Sequence, residues 1–328
     1  MIEAVVIGGG IAGVAAGYYL AEAGCHVALV EQESTLAYHS TGRSAALYFE
    51  NYGEPAVRAL TKASRPFFEH PPGGLAEVRF LRRRGALWVG RPEQRASLER
   101  ELESGSGTTK WLEAKDAQAL VPALRTEYLG GAVWEPDALD LDVAAIHQAF
   151  VRGMRMAGAT IRTSSEVTRL AAGRGKWEVM AGTDVLVADV VINAAGAWGD
   201  VVAGLAGVAQ VGLEPRRRTA FMVPGDLSYA GWPLVADADN EFYFRPDGTQ
   251  ILCSLADETP APPGDARPDE LDIALAIDRI NTATTLGIRS VRSAWAGLRS
   301  FVVDRAMVVG FDPDAPGFFW LVGQGGTG

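Results

Sequence analysis

Val5-Val6-Ile7 runs directly into Gly8-Gly9-Gly10-Ile11-Ala12-Gly13, and a second apolar run, Val27-Ala28-Leu29-Val30, ends in the acid Glu31. Glycines at this spacing between a strand and a helix restrict the chain severely. Gly8 permits the tight turn, Gly10 lets the backbone approach a pyrophosphate, and Gly13 lets the helix pack close to the strand. The helix N-terminus adds free N–H groups and positive potential for an anion. Glu31 lies 18 positions beyond Gly13, where such folds place the acid that takes a ribose hydroxyl. The spacing predicts a dinucleotide-binding βαβ unit with its helix over 11–23, and it leaves NAD and FAD both open.

The 328 residues are 48% hydrophobic and 21% charged, enough for a large core shared by two connected domains. Formal charge is −10, so the surface repels nucleic acid and anionic lipid, and no block of Lys and Arg marks a polyanion site. Cys25 and Cys253 stand far apart without CxxC spacing. No disulfide framework and no metal site are expected, and a reducing cytoplasm fits. No apolar run reaches the length of a membrane span, and no charged leader precedes the first strand, so contact with a membrane is expected to be absent or peripheral.

Beyond Glu31 the βαβ pattern is interrupted. A polar loop over 38–46 leads to a helix over 54–68, a strand over 86–89 and a helix over 92–102. The α/β pattern returns with an amphipathic helix over 142–157 and short strands over 167–170, 177–180 and 185–187. The apolar run Val190-Val191-Ile192 then feeds Asn193-Ala194-Ala195-Gly196-Ala197-Trp198. Strands of period 2 over 218–223, 242–244 and 251–254 and a helix over 269–284 form a second interruption. Strands are expected again over 307–309 and 318–322. The last ends in Gly323-Gln324-Gly325-Gly326-Thr327-Gly328, a glycine turn that predicts a helix beyond residue 328, with its amides facing an electron-rich ligand atom. The expected fold is α/β, a Rossmann-like parallel sheet carrying an inserted α+β domain.

These segments resemble the FAD-dependent D-amino acid oxidase and dehydrogenase family, which includes glycine and sarcosine oxidases. The resemblance runs nearly end to end. It is carried by Gly8-x-Gly10-x-x-Gly13 with Glu31, by His39-Ser40-Thr41-Gly42-Arg43-Ser44-Ala45-Ala46, by Asn193 to Trp198, by Trp295-Ala296-Gly297-Leu298-Arg299 and by Gly325-Gly326-x-Gly328. Within the family, the bacterial D-arginine dehydrogenases share Tyr52, Arg216-Arg217-Arg218, Phe242-Tyr243 and Arg299. The resemblance implies FAD, a FAD-binding domain of 1–47, 140–210 and 296–328, and a substrate domain of 48–139 and 211–295 on a mixed or antiparallel sheet. Cofactor contacts would fall on Gly8, Gly10, Ile11, Ala12 and Gly13, then on Glu31 and Gln32. The 38–46 loop would add Ser40, Thr41, Arg43, Ser44, Ala45 and Ala46. Val167, Ala194, Gly196, Trp198, Gly325, Gly326 and Gly328 complete the implied set.

The loop chemistry agrees with such a role. Successive N–H groups around Gly42 can form an anion nest, Arg43 adds a full charge near a phosphate or flavin oxygen, and the small residues Ser44 to Ala46 admit close approach of something flat. No cysteine follows Arg299, and His39 reads as a hydrogen-bonded loop residue, so FAD is expected to be non-covalent.

Oxidising an amino acid requires its Cα–H to be aimed at the flavin and its amine to be deprotonated, so the protein's task is to hold the substrate. Arg299 shares a strand face with Trp295, Gly297 and Phe301, and a charge among such neighbours needs a partner from the protein or the substrate. The resemblance assigns Arg299 and Arg218 to the substrate carboxylate, with Tyr52 within reach of the flavin. Tyr243 alternates with Phe242 and Phe244 and is expected on the cavity side. Leu47 and Ala86 stand where D-arginine dehydrogenases carry a histidine and a carboxylate. The expected substrate is therefore a D-amino acid with a neutral or apolar side chain, giving an imino acid that hydrolyses to a 2-oxo acid and ammonia. Glycine or sarcosine-type oxidation of N-methyl amines is the enzymatic alternative, and a shortened flavoprotein of little activity is the other. Oxygen or a quinone would accept the electrons, and a monomer or weak homodimer is expected.

Overall fold

The computed structural model describes residues 2–76, 78–105 and 107–327. Ala4–Ile7 and Val27–Val30 are apolar and buried at every position, as parallel strands covered on both faces must be. They sit inside a six-stranded sheet ordered Val308–Phe311, Phe318–Val322, Val190–Asn193, Ala4–Ile7, Val27–Val30, Thr160–Arg162. All neighbours are parallel except at the Val308–Phe311 edge. Val6 and Leu29 face a layer made by the helices Ile11–Glu22 and Val143–Met156, while Val5, Ile7, Ala28 and Val30 face the antiparallel strands Val167–Gly173, Lys176–Ala181 and Asp184–Ala188. Gly17 lets the two helices close, since a Cβ there would lie 2.5 Å from Met154 Cε.

The second unit is a nine-stranded mixed sheet. Its path runs Thr259–Pro260, Glu214–Pro224, Gln250–Ser254, Tyr243–Asp247, Leu234–Asp237, Ala86–Gly90, Gly131–Glu135 and Lys110–Leu112, with Ser293–Phe301 also paired to Glu214–Pro224. Only Leu234–Asp237 and Ala86–Gly90 pair in parallel. One face buries Leu87, Val89, Phe221, Phe242 and Phe244 against Ile280 and Ala283 of the helix Glu270–Ala283. Each such side chain contributes about 1.5–3 kcal/mol by leaving water. The opposite face carries Ala86, Trp88, Val133, Leu234 and Ala236, with Leu47 and Tyr243 packed against them.

The chain passes between the two units through a small sheet of Leu47–Tyr48, Leu139–Leu141 and Leu81–Arg83, so the boundaries expected at 47/48 and 139/140 fall inside paired strands. The boundary expected at 295/296 is also displaced. Ser293–Phe301 pairs without a break along Glu214–Pro224, from Ser293 opposite Met222 to Phe301 opposite Glu214, so residues 296–301 belong to the mixed sheet. The helix expected over 92–102 divides into a 3-10 turn, Pro92–Gln94, and the α-helix Arg95–Ser104. Gln94 Oε1 accepts the Arg91 N–H at 2.8 Å and closes that first turn. The strand expected over 307–309 lies at Val308–Phe311. No helix among the described residues is long and apolar enough to cross a membrane.

Candidate functional site

Gly8 has φ +111°, and a Cβ there would fall 2.5 Å from the Ala194 carbonyl oxygen. A Cβ on Gly13 would fall 1.9 Å from the Gly8 carbonyl oxygen. No larger residue fits either place without moving backbone. Gly10 takes the N-cap position in an extended conformation and, being glycine, offers no capping side chain of its own. Thr41 Oγ1 accepts from the Ile11 N–H at 3.0 Å, and Ala12 packs into the helical layer. Glu31 Oε2 accepts from the Gly9 N–H at 2.7 Å and Oε1 from the Glu33 N–H at 2.9 Å, which fixes the carboxylate beside half-buried Gln32. The Glu31 carbonyl accepts from Ser165 N–H at 2.8 Å, bringing Val167 close behind.

His147 was not expected from the sequence. It lies on Val143–Met156, is buried, and donates Nε2–H to the Gly9 carbonyl at 2.9 Å, which also accepts from Ala37 N–H at 3.1 Å. Donation to a carbonyl assigns the proton to Nε2. Burial holds the pKa of His147 below the ordinary histidine value, so the ring is neutral. A histidine inside an amphipathic helix looks like any core residue until the carbonyl it binds has been placed.

Ser40–Arg43 winds as one 3-10 turn rather than an open nest, because Ser40 Oγ donates to Leu298 O at 2.6 Å and a Gly42 Cβ would lie 2.3 Å from Ala37 O. Arg43 is tied into the protein on several sides. Its guanidinium donates to Tyr38 O (3.2 Å), Ala266 O (3.0 Å), Ala296 O (2.8 Å) and the Asp265 carboxylate. A cation held among carbonyls in this way locks the loop to the mixed sheet. Ala46 adopts φ +59° and is held by its own N–H to Ser44 Oγ (3.0 Å) and by Leu141 N–H to its carbonyl (2.9 Å). Arg245 Nε donates to Ala45 O at 3.2 Å. Behind this loop lies a cleft of about 790 Å³, lined by Thr41, Ser44, Asp140, His147 and Arg245 among others.

Asn193 donates Nδ2 to Gly199 O at 2.8 Å and accepts from Ala195 N–H at 3.3 Å, bending the chain through Ala194 into the 3-10 turn Gly196–Trp198. The Trp198 ring stands 4.6 Å from that of His39, whose Nε2 bonds Glu33 at 2.9 Å.

The expected substrate residues converge. On the paired strands Arg216 stands opposite Arg299 and Arg218 opposite Gly297, so all three arginines rise from one face. Arg216 is drawn off to Glu214 at 3.0 Å, and Arg217, on the other face, to Asp272 at 2.7 Å. Arg218 Nε donates to Asp257 O at 2.8 Å and Nη2 to Glu258 Oε1 at 3.2 Å. Burial first, and the Arg299 charge second, hold the Arg218 pKa below the usual arginine range, with Tyr243 and Tyr52 acting the other way. Among the described residues Arg299 makes no hydrogen bond and no ion pair. A Cβ on Gly326 would lie 3.0 Å from Arg299 Nη1 and 3.1 Å from the Tyr52 hydroxyl, so these groups meet at the closing glycine turn. Gly325, at φ +57°, donates its N–H to Ser300 O at 3.0 Å. Gly328 lies outside the described residues. Tyr243 faces away from buried Phe242 and Phe244, as its alternation requires, and packs near Leu47. Ala86 is fully buried in that wall, and the residue across from it is Glu135, buried and bound by Asn51 Nδ2 at 2.8 Å. Burial pushes the Glu135 carboxyl up.

The fold matches solved structures over almost its whole length. Glycine oxidase from Geobacillus kaustophilus superposes with a TM-score of 0.86 at 19% identity, covering 98% of this chain and 89% of that one. L-proline dehydrogenase from P. horikoshii gives 0.83 at 21%, covering 100% and 89%. Among curated sequences, human mitochondrial dimethylglycine dehydrogenase is 23% identical over 265 residues, 76% of this chain. The chain spans only 30% of that relative's length. Glycine oxidase from Bacillus licheniformis is 25% identical, over 65% of this chain and 58% of the relative. The 4-methylaminobutanoate oxidase of Paenarthrobacter nicotinovorans is 25% identical over 76% of this chain and 31% of its own length. The turn that excludes a Cβ at Gly8 and Gly13, and the helix N-terminus behind it, fit a dinucleotide. With its match to the FAD dependent oxidoreductase (DAO) profile over residues 3–328, the chain belongs to that family and FAD is its cofactor.

Proposed function

We propose that the chain oxidises the carbon–nitrogen bond of a small amino acid held by its carboxylate, with glycine and N-methylated glycines as the first substrate class. The observation that carries this reading is Arg299, half-buried and without a hydrogen-bond or ion-pair partner among the described residues, near Arg218, Tyr52 and Tyr243. A planar guanidinium in that situation suits a carboxylate, which it binds through two parallel hydrogen bonds. The relatives named for glycine, dimethylglycine and methylaminobutanoate support the amine. Bound FAD supplies the two-electron acceptor for the C–H bond beside nitrogen. The chain's own part is to hold the carboxylate at Arg299 and the free edge of Arg218, and to shield the reacting carbon from water with Leu47, Phe49 and Tyr243.

Neutral D-amino acids form a second reading, favoured by the apolar wall of Leu47, Ala86 and Trp88. Glu135 stands in that wall but is committed to Asn51, so a cationic side chain finds no free carboxylate there. The test is anaerobic mixing of the flavin-loaded protein with sarcosine, N,N-dimethylglycine, glycine, D-alanine, D-leucine, D-arginine and dimethylamine, following loss of oxidised flavin absorbance. Sarcosine and dimethylglycine are expected to bleach it and dimethylamine is not. Bleaching by D-alanine and D-leucine alone would establish the second reading. Equal bleaching by dimethylamine would remove the carboxylate anchor.

A further inference from the structure

Arg218 and Arg299 are diagonal neighbours on paired strands, and the guanidinium group is a cation. Two guanidinium groups so placed would suit a dianion better than the single carboxylate of an amino acid. A third charged group alters that balance. The Glu258 carboxylate accepts from Arg218 Nη2 at 3.2 Å and from Arg305 Nη2 at 3.0–3.1 Å. Its backbone is fixed as well: its carbonyl accepts from Arg216 Nη1 at 3.3 Å, and the next residues, Thr259–Pro260, pair with Arg217 and Arg216. The Nε and Nη2 edge of Arg218 is thus taken by Asp257 O and Glu258, while Nη1 has no partner among the described residues.

We propose that Glu258, shared between Arg218 and the more exposed Arg305, is a specificity-determining residue that offsets part of the Arg218 charge, so that the site favours one carboxylate over a dicarboxylate. This rests on the reading of Arg299 and Arg218 as the carboxylate clamp. Glu258→Gln keeps the size and the accepting oxygen and removes only the charge. Removing one negative charge near the site should strengthen the binding of a dianion over that of a monoanion by roughly tenfold at low salt.

The measurement is the dissociation constant of the holoenzyme for acetate and for malonate, read from the shift they cause in flavin absorbance. Glu258→Gln should tighten both and raise the malonate preference about tenfold. Arg305→Gln, on the exposed side of Glu258, should act the opposite way, because it leaves the Glu258 charge less neutralised. A loss of packing would weaken both acids together and leave their ratio unmoved, so an unchanged ratio in both variants overturns the inference. Arg299→Ala separates the two levels. If it leaves acetate binding intact, the clamp reading itself fails. If it abolishes acetate binding while Glu258→Gln leaves the ratio in place, only the role of Glu258 falls.

Discussion

The glycine turn and the arginine face are built from the same kinds of group and treat them in opposite ways. At the turn the protein satisfies its own polar atoms: Glu31 holds two N–H groups, His147 and Ala37 share the Gly9 carbonyl, and Asn193 spans the bend beyond Val190–Asn193. On the arginine face Arg218 is engaged along one edge, and Arg299 makes no hydrogen bond or ion pair among the described residues. A turn already pinned binds its ligand with little ordering left to do. A half-buried cation without a partner carries a desolvation cost that an incoming anion offsets. On the function proposed above, the cofactor half is finished by folding, whereas the substrate half is finished by binding.

Arg299→Ala should produce the largest effect and confine it to one side of this contrast. We expect kcat/KM to fall by about 2–5 kcal/mol of transition-state binding, since a buried substrate carboxylate is left unpaired. Thermal unfolding without substrate should change little, because among the described residues Arg299 has no hydrogen bond or ion pair to lose; a large fall in Tm would mean that Arg299 belongs to the fold. Gly13→Ala should do the reverse. Its Cβ would lie 1.9 Å from Gly8 O, so the turn must open, costing about 1–3 kcal/mol of stability and releasing FAD on gel filtration. Retained stoichiometric flavin would show that the turn is softer than its packing indicates.

A smaller effect follows from His147. Its pKa is lowered in the folded protein, so as pH falls below the ordinary value of about 6.5 the unfolded chain takes up a proton before the native one does. Stability is complete above that pH and declines on acidification towards the folded pKa, by at most about 1.4 kcal/mol per pH unit. The raised carboxyls of Glu135, Glu101 and Asp237 act with the opposite sign and in both proteins alike, so the comparison of Tm against pH between wild type and His147→Gln isolates the histidine. Parallel curves would remove His147 from the acid response.

Much of this contrast was legible in the residues, and unevenly so. The turn was read correctly because its requirements are local: positive φ at Gly8 and contact between Gly13 and Gly8 arise within a few residues. The face of Arg299 followed from period-2 alternation alone, and so did that of Tyr243. The partners of Arg43, Asp265, Ala266 and Ala296, come from segments more than 200 positions away, so no local pattern announces them. The selection of Arg218 from Arg216-Arg217-Arg218 could not be made by pattern either. Glu214 takes Arg216, Asp272 takes Arg217, and Asp257 O and Glu258 take only one edge of Arg218. His147 and Glu258 carry no motif at all, and their meaning comes only from what the fold sets against them.

Ala46→Gly tests the finished character of the cofactor half most finely. Ala46 holds φ +59°, a conformation that costs a residue with a Cβ about 1–2 kcal/mol, while glycine there gives back about 0.4–1 kcal/mol through the freer unfolded chain. The strain persists because Ser44 Oγ, Leu141 N–H and Arg245 Nε hold the segment from three directions. Relief should therefore raise stability by roughly 0.5 kcal/mol, a shift in Tm of about 1–2 °C for a chain of this size, and leave the FAD dissociation constant unchanged. If Tm rises but FAD binds several-fold more weakly, the methyl group of Ala46 is part of the surface the flavin needs. The strained loop would then belong with the arginine face, among the parts completed only by what they bind.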